Sequence, residues 1–174
     1  MLSYQLDLPL LRHLVLRSDV DVVFLRRRNL LETAVSNLIA LQTNLWKTWD
    51  ADGPIASRYE RLEPLPVDEV RRMVDWTRTR LDELEAILAS RADGRVLEVV
   101  YEDLYLAPAA DQATVVDSLW AHLGVPQPTS PRVRYYLDPA EVQMAGTATY
   151  GKLPNIAEIN AACGSDETGW ITYL

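Results

Sequence analysis

Three consecutive arginines, Arg26, Arg27 and Arg28, follow the apolar run Val22-Val23-Phe24-Leu25, and Ser36 stands eight residues beyond the last of them. A guanidinium offers a planar fork of donors that matches phosphate oxygens, and a hydroxyl adds one more. Asn29 and Ser36 are seven residues apart, two helical turns on one face. Two turns rise on the order of 10 Å. A guanidinium from the strand end and a hydroxyl from that face can therefore converge on one anion. Taken without further context, an arginine run is usually a solvated strand end, and a helix-face serine is usually plain surface. Arg26 and Arg27 read as structural.

The elements that would hold this pair are legible on either side of it. Asp21 to Leu25 is short, apolar and rich in β-branched residues, which suits a buried parallel strand. Leu31, Ala34, Val35, Leu38, Ile39, Gln42, Leu45 and Trp46 then follow helical spacing, and Asn29 with Glu32 forms a capping box at the start. Upstream, Leu8 to Leu16 reads as a short helix. Downstream, Asp50 to Pro66 holds one glycine and three prolines and reads as a loop. A long amphipathic helix follows, with Val70, Met73, Val74, Thr77, Leu81, Leu84 and Leu88 in one stripe and Asp68 and Glu69 in its first turn. Gly94 is its expected stop. Val96 to Val100 predicts a second strand, ending at Tyr101-Glu102-Asp103-Leu104. A further helix runs from near Ala110 to Leu123 and ends at Gly124. Past Val125 the chain holds four prolines up to Pro139, and a final short helix is expected at Ile156 to Ala162. Strand, helix, helix, strand, helix is an α/β order, and right-handed crossovers set the two strands parallel in one sheet. No internal repeat or second domain is visible, so residues 1–174 read as a single domain.

Composition narrows the function. The chain has 174 residues, 48 % of them hydrophobic, enough for one domain with a core. A net charge of −8 argues against broad nucleic-acid binding, which needs a basic face. Cys163 is the one cysteine, so an internal disulfide is impossible, and a cytoplasmic location is expected. No apolar run approaches the roughly 20 residues of a membrane span. Met1 to Leu11 lacks the basic start of a signal peptide.

With these elements in place, the chain resembles the sulfotransferases that use 3′-phosphoadenosine-5′-phosphosulfate (PAPS), the bacterial members in particular. Two segments carry the resemblance. The first is Phe24-Leu25-Arg26-Arg27-Arg28-Asn29-Leu30-Leu31-Glu32 with Ala34-Val35-Ser36. The second is Val99-Val100-Tyr101-Glu102-Asp103-Leu104, followed by a helix closing on Leu123-Gly124-Val125. Together they span about Ser18 to Val125. The resemblance implies that Arg28 and Ser36 grip the 3′-phosphate of the nucleotide and that Tyr101 lies by the adenine. It implies a P-loop-type parallel sheet flanked by helices, PAPS as sulfuryl donor, and a hydroxyl or amine on a small molecule or glycan as acceptor. Nothing in the residues calls for a metal.

The same family carries a glycine-containing strand-to-helix loop near its N-terminus, whose amides and lysine cradle the 5′-phosphosulfate. No glycine or lysine precedes Arg26 here. Ser3-Tyr4-Gln5-Leu6 resembles a segment from well inside family members. The expectation is a partial fold that begins after its N-terminal strand and loop. Gly146-Thr147-Ala148-Thr149-Tyr150-Gly151-Lys152 fits G-x-x-x-x-G-K, but Leu153 and Pro154 follow where Ser or Thr is required. A better reading is the family's C-terminal loop, which returns a basic residue to the nucleotide, with Lys152 the candidate. No catalytic base is assigned; His13 and His122 read as structural. The rival function is a non-catalytic nucleotide-binding or interaction module. A sheet lacking a central strand would also favour self-association, or a separate polypeptide that supplies the N-terminal segment.

Overall fold

A computed structural model describes residues 8–17, 19–45, 59, 61–91, 95–128, 130 and 147–173. The segment Ser3 to Leu6, Gly94, most of the Asp50 to Pro66 loop, most of the proline-rich stretch after Val125, and Gly146 lie outside these residues. The elements are α1 (Leu8–Val15), β1 (Val22–Arg26), α2 (Leu30–Thr43), α3 (Val67–Ala89), β2 (Val96–Val100), α4 (Tyr101–Tyr105), α5 (Ala109–Leu123), α6 (Thr147–Tyr150) and α7 (Ile156–Cys163). This is a mixed α/β architecture with a small parallel sheet flanked by helices. The chain divides into two compact units, Met1–Arg27 with Arg78–Asp138, and Arg28–Thr77 with Pro139–Leu174.

The first unit is built on the sheet. β1 and β2 run parallel, with Val22 beside Val96 and Arg26 beside Val100. Alternation then puts Leu97 and Val99 on one face together with Val23 and Leu25. Over β2 that face is covered. Val99, Leu104 and Val116 are buried together, with Leu97, Val115, Leu119 and Trp120 packed around them. Over β1 the face is open, and Val23 and Leu25 are 37 % and 48 % exposed. The expectation of a fully buried strand therefore fails for β1. Its composition is that of a strand covered on both faces, but among the described residues α4 and α5 pack on the β2 half. On the opposite face Arg26 Nε and Glu98 Oε1 pair at 2.6 Å. Both strand entries are pinned. Arg95 makes two bonds to the Asp21 carboxylate, at 2.7 and 2.8 Å. Arg91 donates to the carbonyls of Val15 and Val20, which fixes the link from α1 to β1.

The second unit is helical. The apolar stripe of α2 is buried through Leu31, Ala34, Val35, Leu38 and Ile39, as its spacing predicts. Val70 and Val74 of α3 are buried as well, as are Tyr150, Ile156 and Ile159 from the C-terminal helices. Three carboxamides stand in for a neighbouring strand. Gln42 bonds both the amide and the carbonyl of Glu63, Asn155 does so for Leu65, and Asn160 for Ile171, all at 2.8–3.2 Å. Each satisfies irregular backbone that no ladder reaches.

Candidate functional site

Arg28 is exposed at the bend between β1 and the N-cap of α2. Asn29 is that cap. Its Oδ1 accepts from the Glu32 amide at 2.9 Å, the bond expected of the Asn-x-x-Glu spacing. Ser36 sits two turns further along and is half-buried at the margin of the apolar stripe. Both candidate clamp residues therefore belong to one unit and one strand-to-helix junction.

The first turn of α2 is already partly spoken for. The Leu31 amide donates to the Thr168 carbonyl at 2.9 Å, and the Asn29 side-chain amide donates to the Trp170 carbonyl at 2.9 Å. The C-terminal turn from Ser165 to Gly169, closed by bonds in both directions between those two residues, thus lies against the helix start. Gly169 has φ 84°, and a Cβ there would sit 2.4 Å from Asn29 Oδ1. With the Leu31 and Glu32 amides engaged, an anion at this junction would be held chiefly by side chains.

Tyr150 was not singled out by its sequence context. Its ring is buried at 2 % exposure, and its hydroxyl donates to Glu32 Oε1 at 3.2 Å. The turn that carries Gly151 and Lys152 therefore starts at a residue anchored to the first turn of α2. Lys152 is exposed, and its backbone amide closes onto the Thr149 carbonyl at 3.1 Å. Residues 147–150 are helical, so the G-x-x-x-x-G-K spacing does not fall on a phosphate-cradling loop. A tyrosine just before a Gly-Lys pair is the signal that could have pointed to the anchor.

Tyr101 belongs to the other unit. It opens α4 and does not extend β2, because Glu102 and Asp103 fill a helical first turn and the Leu106 amide bonds the Glu102 carbonyl at 2.8 Å. The Arg27 guanidinium lies 4.1 Å from its ring centre, a cation–π contact, and the Tyr105 ring centre is 4.7 Å away. Arg27, read from sequence as structural, is thus an aromatic-stacking residue. Glu102 and Asp103 sit in the acidic first turn of α4, where the helix dipole favours them. His13 is exposed on α1, and His122 lies half-buried in the last turn of α5. Among the described residues no helix is long and apolar enough to cross a membrane. No protein-family model matches the chain, and neither a curated protein nor a solved structure matches it.

Proposed function

We propose that this chain carries the 3′-phosphate-binding half of a PAPS-dependent sulfotransferase fold, with Arg28 and Ser36 as the clamp and Lys152 returning from the C-terminal loop. The single observation that carries the reading is the bond from Tyr150 to Glu32. It ties the Gly151-Lys152 turn to the same helix that bears Ser36 and starts just after Arg28. A guanidinium, an ammonium and a hydroxyl on one unit are a donor set suited to a phosphate dianion. Tyr101, with Arg27 on its ring, is the aromatic group proposed to lie by the adenine. The parent reaction moves a sulfuryl group from PAPS to a hydroxyl or amine of a small molecule or glycan. Such transfer depends on positioning and charge stabilisation more than on covalent chemistry with the protein.

Calorimetric titration with adenosine 3′,5′-bisphosphate tests the clamp. We expect weak binding that Arg28→Ala reduces by about 1.5–3 kcal/mol, the value of a charge-assisted hydrogen bond. The same preparation should release sulfated product from PAPS at a negligible rate. Unchanged affinity in Arg28→Ala would remove the assignment, and turnover at an ordinary enzymatic rate would require another cradle for the phosphosulfate.

A further inference from the structure

The open edge of β1 fits one occupant best, and we propose that it is a second copy of this chain. Two β1 strands pair antiparallel across a twofold axis near Phe24, giving a four-stranded sheet with the two β2 strands outside.

The backbone supplies the template. Among the described residues β1 pairs with β2 alone. The Val22 amide donates to the Arg95 carbonyl at 2.9 Å, so Val22, Phe24 and Arg26 turn their polar backbone groups towards β2. Alternation turns those of Val23 and Leu25 outward. These are also the two residues whose side chains are exposed, at 37 % and 48 %. Natural edges are usually blunted by a proline, a lysine, a bulge or a charge at mid-strand. Val22-Val23-Phe24-Leu25 has none of these.

Charge then selects the partner and its direction. Asp19 and Asp21 precede the strand, paired with Arg17 and Arg95 of their own chain, and Arg26, paired with Glu98, then Arg27 and Arg28 end it. A parallel second copy would lay acid on acid and base on base. An antiparallel copy lays the acidic end of each strand beside the basic end of the other. Centred on Phe24, that register sets Val23 opposite Leu25 of the other copy in a pair that exchanges both backbone bonds. It also sets Asp21 beside Arg27 of the other copy. Asp21 keeps its bonds to Arg95, and Arg27 its place over Tyr101, so the attraction acts between charges already fixed in position.

Sedimentation velocity on the full chain across a wide concentration range is the test. We expect a reversible monomer–dimer equilibrium. Val23→Lys and Leu25→Lys should each weaken it about tenfold or more, because each substitution acts twice across the axis. Melting of the dilute monomers should stay unchanged, since both side chains are exposed. Leu10→Lys, exposed on α1, should leave association as it was. Mixed Val23→Cys and Leu25→Cys chains, both in a Cys163→Ser background, should cross-link to each other under mild oxidation, because such facing residues stand at disulfide distance. A monomer at every concentration, open-ended aggregates, a dimer untouched by both lysines, or failure of the mixed cross-link would each overturn the proposal.

Discussion

Asn29 separates the exposed Arg28 from the first turn of α2, and its amide faces two ways. The oxygen takes the Glu32 N–H and the nitrogen gives to the Trp170 carbonyl, which fits only one orientation of the amide. Two variants separate the roles. Asn29→Asp keeps the cap, since both residues cap equally well. It loses the donor to Trp170 and sets a carboxylate against a carbonyl. Asn29→Ala loses both bonds. We expect thermal unfolding to show Asn29→Ala less stable than the parent by about 1–2 kcal/mol. Asn29→Asp should retain the helix but show faster amide exchange in the C-terminal turn; equal protection there in the parent and the variant would mean that the Trp170 bond does not hold that turn. The cap was legible because its partner is three residues away. The Trp170 contact was not, because it spans 141 residues and local spacing carries no record of it. Glu32 shows the same limit. Its place three residues after the cap was readable, but its bond to Tyr150 spans 118 residues.

The elements were the most readable part of the molecule. α2, α3 and α5 each present an apolar stripe at helical period, long enough for the pattern to be unambiguous. The parallel pairing followed from the crossover rule and holds in the register. What sequence missed was short or relational. α4 has five residues, too few for a period, and its Tyr-Glu-Asp-Leu text passes equally for the end of a strand. The exposed half of the sheet was hidden because Val23 and Leu25 have the same composition whether covered or not. Two glycines illustrate how element ends differ. Gly124 caps α5 at φ 64° with open space where a Cβ would go. Gly169 has φ 84° and a Cβ there would strike Asn29. Gly124→Ala should cost only the left-handed strain, about 1–2 kcal/mol. Gly169→Ala should cost more, because the Asn29 cap must move as well. Chemical denaturation of both variants gives the comparison, and equal losses would mean the C-terminal turn yields freely.

At the scale of the whole molecule, charge sets how copies meet. The chain carries −8 at neutral pH and has a pI near 4.7, so two copies repel at a distance. Two carboxylates just before β1 are held by neighbouring arginines. The hydrogen bond from Arg17 holds Asp19 down to about 2, and the bond from Arg95 holds Asp21 below the ordinary carboxylate range. A carboxyl with a lowered folded pKa stays ionised while ordinary ones begin to protonate. Whatever it contributes is fully present above its unfolded value and is lost only as pH falls through the lowered one. Acidifying from about pH 7 to about pH 4.5, where carboxylates of about 3.9–4.3 begin to protonate, therefore removes net charge from the molecule while Asp19 and Asp21 keep theirs. Long-range repulsion falls, and the acid-to-base alignment of two β1 strands remains. Sedimentation equilibrium should show the dimer tightening over that interval. The effect should be larger at low salt, where the net charge is least screened. A dissociation constant that stays level or rises on acidification would mean that the contact depends on carboxylates of ordinary pKa, and the edge of β1 would no longer account for it.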